Sequence, residues 1–200
     1  MAEHVILLHG IWMRGITLWP LARRLRAAGH AVETLDYASV SGGVDAAAAR
    51  VRERMRAIDA DAVHLVGHSL GALVAVEAVR DARGLPPGRV VGLGAPLRGS
   101  AAARGVAGMP GGRWLLGGSA DALVDGIAAW NGARPIGVIA GCLPLGLGFA
   151  LARLGAPHDG TVAVEETRLS GIADHCTVMA SHSGLLFSAF LPRATVEPYL

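Results

Sequence analysis

Lysine is absent from this chain of 200 residues, so all 18 of its basic residues are arginines. Acidic side chains nearly balance them, which leaves a formal net charge of +2 at pH 7. The arginines are scattered, and the densest group, at residues 50–56, would spread around a helix instead of forming one stripe. Because a nucleic-acid site normally needs a clustered basic face, we expect no nucleic acid among the partners.

Long apolar runs are also absent. Residues 136–154 come nearest to a membrane span, but several glycines and Pro144 interrupt them and Arg153 closes them. A spanning helix needs about 20 predominantly apolar residues. The first apolar run is short, and no basic segment precedes it as one would in a secretory signal. These absences predict no transmembrane segment and a cytoplasmic location.

The chain has only two cysteines, Cys142 and Cys176, and their spacing matches no metal-binding pattern. Two buried thiols in a reducing compartment are a simpler interpretation than one disulfide. No grouped carboxylates of the kind that hold calcium are present. The sequence therefore predicts neither a metal nor another cofactor.

What the chain does contain is a high apolar content, 52% hydrophobic against 17% charged residues, which favours a folded core over disorder. Its length predicts a single domain over residues 1–200. Short apolar runs alternate with helical periodicity, which predicts an α/β fold whose sheet of about six mostly parallel strands has helices on both faces. The predicted strands are 5–8, 31–35, 62–66, 90–93, 136–140 and 176–180, and the main predicted helices are 18–28, 44–58, 72–81, 114–130 and 184–190.

Ser69 stands in the sequence Gly67-His68-Ser69-Leu70-Gly71, between the third predicted strand and the following helix. This G-x-S-x-G pattern in a strand–turn–helix context is typical of a nucleophile elbow. The glycines two residues before and after the serine remove side chains that would clash in so sharp a turn. The context favours a catalytic serine over an incidental one in a glycine-rich turn.

A serine hydroxyl needs a base, and the base needs a carboxylate that orients it. In a parallel sheet these partners must come from loops at the carboxyl edge, where Ser69 lies. Among the eight histidines, His182 fits best, because it follows the last predicted strand. The others are expected to pack, to shape loops or to lie at the surface.

The best candidate for the acid is Asp159, in a Gly- and Pro-marked loop after the fifth predicted strand. The order Ser69, Asp159, His182 is the order typical of this constellation. The competing acids fit less well, because they fall in helical patterns, in a short strand-like run or at the wrong end of a strand. They are Asp121, Asp125, Glu165, Glu166 and Asp174.

An acyl-transfer site also needs backbone N–H groups for the oxyanion that forms during attack. The residue after the nucleophile, Leu70, is expected to supply one. The loop after the first strand is expected to supply the second, from Ile11, with Trp12 as the alternative.

Taken together, these segments make the chain resemble the lipase and esterase branch of the α/β-hydrolase superfamily. Residues 5–11 resemble the oxyanion strand and loop of small lipases, and residues 67–72 resemble their elbow. Residues 93–100 are similar to the segment after the next strand in triacylglycerol lipases and in enzymes like the GPI inositol-deacylases. Residues 159–162 and 181–185 resemble the acid and base segments. The resemblance implies a minimal hydrolase without a separate cap domain.

The expected activity is hydrolysis of carboxylic esters, with a small acyl ester or lipid as substrate. Residues 97–112 and 143–154 are expected to flank the site, and the second stretch is apolar enough either to wall an acyl groove or to pack in the core. A thioesterase, an acyltransferase and a non-catalytic sensor on the same scaffold stay open as alternatives. The sequence carries no prediction of oligomeric state.

Overall fold

A twisted sheet of six strands forms the centre of the molecule. The computed structural model describes residues 3–81, 83–146 and 153–187. Every strand pairing is parallel, in the spatial order β2-β1-β3-β4-β5-β6. The strands are β1 Glu3–Leu8, β2 Ala31–Leu35, β3 Ala62–His68, β4 Val90–Leu93, β5 Ile136–Gly141 and β6 Asp174–Val178. The predicted α/β class with a parallel sheet is confirmed.

Six α-helices, together with short 3₁₀ turns, connect these strands in the described ranges. The helices are α1 Trp19–Ala27, α2 Gly43–Ala57, α3 Leu70–Val79, α4 Ala101–Ala107, α5 Gly112–Leu116 and α6 Ala120–Asp125. The 3₁₀ turns are Gly15–Leu18, Gly117–Ser119, Val164–Thr167 and Ser183–Leu186.

The two faces of the sheet are buried in separate apolar clusters. In β1, Val5 and Leu7 point toward α1 and the turn Ser183–Leu186, whereas Ile6 and Leu8 point toward α2 and α3. This division follows from the two-residue period of a strand. The central strands are therefore buried on both faces and have continuous apolar sequences, while β2 and β6 at the edges are only half-buried.

Helix α3 lies unusually close to the sheet, and almost all of its side chains are buried. A Cβ added at Gly71 would stand 2.3 Å from the carbonyl oxygen of Leu8 and 2.7 Å from that of His9. The glycine is therefore required because the backbone of β1 fills the space of a side chain. This close approach fixes the start of α3 against the end of β1.

Several predicted boundaries were wrong. Residues 114–130 were expected to form one helix, but left-handed glycines at Gly117 and Gly126 end α5 and α6, and no helix follows up to residue 130. The last strand begins two residues before its predicted start, at Asp174. The predicted final helix, 184–190, begins as the 3₁₀ turn Ser183–Leu186, and residues 188–190 lie outside the described residues.

The two cysteines are unpaired thiols, as predicted, but they are half-buried instead of buried. Across residues 3–81, 83–146 and 153–187, no helix combines the length and the apolar character needed to cross a bilayer. The cytoplasmic location stays a prediction.

We expect Gly71→Ala to lower the free energy of unfolding by about 3 kcal/mol or more, because the new methyl group meets main-chain atoms that cannot rotate away. The measurement is the urea midpoint followed by circular dichroism. Gly108→Ala is the matched control, since its Cβ would meet nothing nearer than the Arg104 carbonyl oxygen at 3.5 Å. Equal midpoints for the two variants would contradict the close approach of α3 to β1.

Candidate active site

Ser69 occupies the single residue between β3 and α3, and its backbone is strained. Its φ of 54° and ψ of −121° lie outside the regions that L-residues normally adopt. Such a conformation costs of the order of 1–3 kcal/mol and persists only where the surroundings enforce it. Here the N–H of Ser69 donates to the Leu93 carbonyl oxygen on the neighbouring strand at 2.9 Å. The predicted strand–turn–helix elbow is therefore present.

Gly67 and Gly10 give the elbow its space. A Cβ at Gly67 would lie 2.4 Å from the main chain of Gly71, so no side chain fits inside the turn. Gly10, in the loop after β1, packs against the elbow, since a Cβ there would stand 3.3 Å from the Cβ of Ser69. The loop after β1 is thus brought directly against the serine.

Asp159 is held at the carboxyl edge of the sheet by hydrogen bonds to both of its carboxylate oxygens. Oδ1 accepts the N–H groups of Thr161 at 2.9 Å and Val162 at 2.7 Å. Oδ2 lies 2.7 Å from Nδ1 of His182. The side chain of Asp159 is 1% exposed, so these hydrogen bonds replace the water that it loses on burial.

His182 is tied to Asp159 through its main chain as well, because its N–H donates to the Asp159 carbonyl oxygen at 2.8 Å. These paired contacts fix both the ring and the backbone of the histidine. The structure thus brings Asp159 and His182 together at the sheet edge where Ser69 lies.

The side-chain atoms Ser69 Oγ and His182 Nε2 are unpaired among the described residues, although both residues are largely buried. Within the described part of the chain, Ser69 Oγ and His182 Nε2 make no hydrogen bond, to each other or to another group. Neither atom is among the fully buried side-chain atoms that lack a partner, so each retains surface accessible to solvent. Hydrogen bonds between catalytic groups are often long before substrate binds.

The backbone N–H groups predicted for an oxyanion lie beside the serine. Residues 10–13 form a tight turn in which the Met13 N–H donates to the Gly10 carbonyl oxygen. Trp12 is the third residue of this turn and has a positive φ of 58°. The N–H groups of Ile11, Trp12 and Leu70 donate to none of the described residues.

A small apolar cavity of about 80 Å³ opens at Ser69. Ile11 and Trp12 line it on one side, and Thr161 and Val162 on another. The remaining lining residues come from the segment after β4 and from α4 to α6: Pro96, Ser100, Ala102, Ala103, Val106, Leu116 and Leu123. Residues 97–112 therefore flank the site as predicted.

The second predicted flank does not line this cavity. None of residues 143–146, 153 or 154 belongs to its wall, and residues 147–152 lie outside the described residues. Helices α5 and α6 contribute to the wall instead. This contribution was not predicted, because residues 114–130 were interpreted as one continuous helix.

Four of the five competing acids have partners away from the elbow. Glu165 pairs with Arg98 at 2.7 Å, and Glu166 accepts the N–H groups of Ala101 and Ala163. Asp121 pairs with Arg113 on the surface. Asp174 accepts the N–H of His175 at the opposite end of β6. Asp159 is the one acid of the predicted set that contacts a histidine at the elbow.

A family model described as the alpha/beta hydrolase family matches residues 5–195. The chain belongs to the alpha/beta hydrolase family.

Solved structures with the same fold include lipases, esterases and a thioesterase. The mature lipase BlEst2 of Bacillus licheniformis superposes with a TM-score of 0.80 and 17% identity, over 98% of this chain and 91% of that one. The metagenomic carboxyl esterase MGS0156 superposes with a TM-score of 0.70 and 18% identity, over 90% of this chain and 64% of that one. BorB, a type II thioesterase from the borrelidin biosynthetic cluster, superposes with a TM-score of 0.61 and 18% identity. The match covers 93% of this chain and 86% of that one. No curated protein matches at a significant level.

Two glycines of this hydrolase make room for the histidine and the acid. A Cβ at Gly94, which follows β4 with a positive φ of 56°, would stand 2.9 Å from His182 Nδ1 and 3.1 Å from Asp159 Oδ2. A Cβ at Gly141 would stand 2.8 Å from the Cβ of Asp159. This role was not predicted from the sequence. The signal was a glycine at the carboxyl end of β4 and of β5, the next two strands after β3 in the sheet.

His68 supports His182 from beneath. Burial, followed by the nearby charge of His182, lowers the pKa of His68 to about 3, so its ring is neutral. Nε2 lies 3.0 Å from the His182 carbonyl oxygen, and Nδ1 is buried without a partner. These contacts fit a ring that carries its proton on Nε2, from which it donates a hydrogen bond to the His182 carbonyl oxygen. The predicted packing of His68 beside the elbow is confirmed.

We expect His68 to make the hydrolase sensitive to acid. Between pH 6.5 and pH 3 the unfolded chain binds a proton at this residue and the folded chain does not, so the free energy of unfolding falls as the pH falls. His68→Gln keeps an N–H donor in the Nε2 position and removes the titration. In the variant, the free energy of unfolding should change less steeply with pH, by up to about 1.4 kcal/mol per pH unit. The measurement is urea unfolding at a series of pH values.

His64 and His175 are the internal reference, because burial also lowers the pKa of each and both remain in the variant. Part of the acid sensitivity should therefore persist. If the free energy of unfolding depends on pH equally in the wild type and His68→Gln, the pKa of His68 is not lowered in the folded protein.

Proposed function

We propose that this chain is a serine hydrolase that cleaves carboxylic esters through an acyl-enzyme. One observation carries the proposal: the buried hydrogen bond of 2.7 Å between Asp159 and His182 lies at the sheet edge that holds the strained Ser69. A base oriented by a carboxylate, at the same edge as a serine hydroxyl with no other partner, is the arrangement that nucleophilic acyl transfer needs. Lipases and esterases among the solved structures of the same fold support the reaction class.

In this proposal Ser69 Oγ attacks the ester carbonyl carbon while His182 Nε2 removes its proton. Asp159 accepts a hydrogen bond from the Nδ1–H of His182, which holds Nε2 as the free base and stabilises the ring once it is charged. His182 then returns the proton to the departing alcohol. Water, activated by the same histidine, attacks the acyl-enzyme, releases the acid and restores Ser69.

The oxyanion would be held by the backbone N–H groups of Ile11 and Leu70. The support is that both are unpartnered in the described chain and that Ile11 lines the cavity which contains Ser69. The Trp12 N–H meets the same two conditions and stays the alternative to Ile11. Only main-chain atoms act here, so a side-chain substitution does not separate the two.

The cavity beside Ser69 suits a short acyl chain. An apolar cavity of about 150 Å³ takes one benzene, or about 25 Å³ for each carbon. The 80 Å³ at Ser69 therefore corresponds to roughly three carbons beyond the carbonyl. We propose acetyl to butyryl esters as the preferred substrates.

A thioesterase is the second candidate. The same triad and oxyanion site would serve a thioester, and the thioesterase BorB has the same fold. Its fold alone does not set the leaving group, so matched oxygen esters and thioesters of one acyl chain distinguish the two. Acyl transfer would appear as an ester product when an alcohol is added. Ligand-induced stabilisation without turnover would favour the sensor.

We expect a fluorophosphonate to label Ser69 stoichiometrically and Ser69→Ala to prevent labelling, because only an activated hydroxyl attacks phosphorus. Butyrate ester turnover should fall by about 10⁴-fold in Ser69→Ala. The measurements are intact-protein mass spectrometry with peptide mapping, and initial rates with a chromogenic ester.

Asp159→Asn should cause a loss of similar size, because the histidine is left in the wrong tautomer. Glu165→Gln is its matched control, since that carboxylate pairs with Arg98 on the surface. Wild-type turnover in Ser69→Ala, or the larger loss in Glu165→Gln, would show that the residues are assigned wrongly.

We expect kcat/KM to peak at or below the butyryl ester and to fall with longer acyl chains. Val106→Ala should shift the optimum toward the hexanoyl ester, because Val106 lines the cavity at Ser69. Val79→Ala is the matched control, because this buried valine ends α3 far from the cavity. A series of p-nitrophenyl esters from acetate to decanoate measures the profile, and equal profiles for both variants would refute the assigned acyl site.

A further inference from the structure

A second cavity, of about 470 Å³, borders Trp12, as the cavity at Ser69 does, and has a more polar wall. It opens between the loops that follow β1 and β2, and polar groups make up much of its wall. Its lining residues are Trp12, Met13, Arg14, Asp36, Tyr37, Ala38, Ser39, Val40, Ser41 and Arg50. The sequence analysis assigned no function to any residue of this cavity other than Trp12.

Trp12 lines both cavities, so the two meet at this residue. That side chain is 59% exposed, and its indole N–H donates to the Leu115 carbonyl oxygen at 3.0 Å. A substrate whose acyl chain enters the apolar cavity at Ser69 can therefore extend past Trp12 into the larger cavity. The part of the substrate beyond Trp12 then lies in the larger and more polar cavity.

The charges in this second cavity are unbalanced. Arg14 and Arg50 contribute two guanidinium groups, and neither pairs with a carboxylate or donates a hydrogen bond within the described residues. Many other arginines of the described chain are engaged, as Arg54 is with Glu33 through two bonds of 2.7 Å. Two unpaired arginines among the lining residues of one cavity leave guanidinium donors for an anion.

The only carboxylate in the lining of this cavity is already occupied. Asp36 Oδ1 accepts the Gly15 N–H at 2.8 Å and lies 3.4 Å from Nε2 of the buried His9. No pair within 4.0 Å joins Asp36 to Arg14 or Arg50 in the described chain. One positive charge therefore remains in excess among the residues that line this cavity.

We infer that this second cavity binds the leaving group of the substrate and that this group carries a carboxylate or a phosphate. Guanidinium groups recognise both anions through paired N–H donors. The inference rests on the proposed function, because the reacting ester bond is placed at Ser69. It adds the chemical class of the alcohol, which neither the family nor the triad specifies.

The test compares the butyryl monoesters of glycerol, glycerate and glycerol 3-phosphate. These share one acyl chain and a three-carbon alcohol and differ in charge, so the two acidic esters distinguish carboxylate from phosphate. We expect at least one acidic ester to exceed the neutral ester about tenfold in kcat/KM at low ionic strength, chiefly through a lower KM. The advantage should shrink as salt is added.

Arg14→Met and Arg50→Met should each reduce the ratio of acidic to neutral kcat/KM severalfold. Arg56→Met is the matched control, because Arg56 lies on α2 outside the cavity and has no partner among the described residues. An acidic ester that is no better than the neutral one, or a ratio that survives both substitutions, would overturn the inference.

Calorimetry separates this inference from the proposed function. Glycerol 3-phosphate and glycerate are titrated into the Ser69→Ala protein and into the same protein carrying Arg50→Met. Binding that is lost with Arg50→Met supports the anion site even if no ester is turned over, in which case the proposed hydrolysis alone is wrong. Absence of binding by both anions would refute the site even if neutral esters are hydrolysed.

Discussion

The close approach of α3 to β1 is the constraint on which the site depends. Gly71 lets the helix start against the Leu8 carbonyl oxygen, and Gly67 lets the chain turn within one residue. The remaining residue, Ser69, must then adopt a positive φ, which the buried helix and the bond to the Leu93 carbonyl enforce. Packing in the core thereby supplies the energy that keeps the serine strained and its hydroxyl accessible.

Close packing also requires glycines at the ends of β4 and β5. Gly94 and Gly141 leave the volume in which Asp159 and His182 meet, and His68 supports His182 from the other side. The carboxyl ends of β3, β4 and β5 therefore each depend on a glycine that leaves room for Ser69, His182 or Asp159. The histidine is fixed by its ring, its N–H and its carbonyl oxygen, so its position follows from the sheet and not from the loop alone.

Around this rigid centre the walls come from short and irregular elements. Helices α4, α5 and α6 line the apolar cavity, and left-handed glycines separate α5 from α6 and end α6. Trp12 stands between this cavity and the one that holds Arg14 and Arg50. The loop after β1 therefore borders both the apolar and the polar cavity, and it also carries the N–H groups of Ile11 and Trp12, which are unpartnered in the described chain.

By itself the sequence determined the α/β class, the strands at residues 31–35 and 90–93 to the residue, and the elbow at Ser69, because these follow from local periodicity and from glycines at fixed spacing. It also ranked Asp159 and His182 above their competitors, since a parallel sheet confines partners to one edge. It joined α5 and α6 into one helix, because the apolar pattern continues across Gly117 and Gly118. Only the tertiary structure decided the walls of both cavities and the roles of Gly94 and His68, because these depend on contacts between segments far apart in the chain.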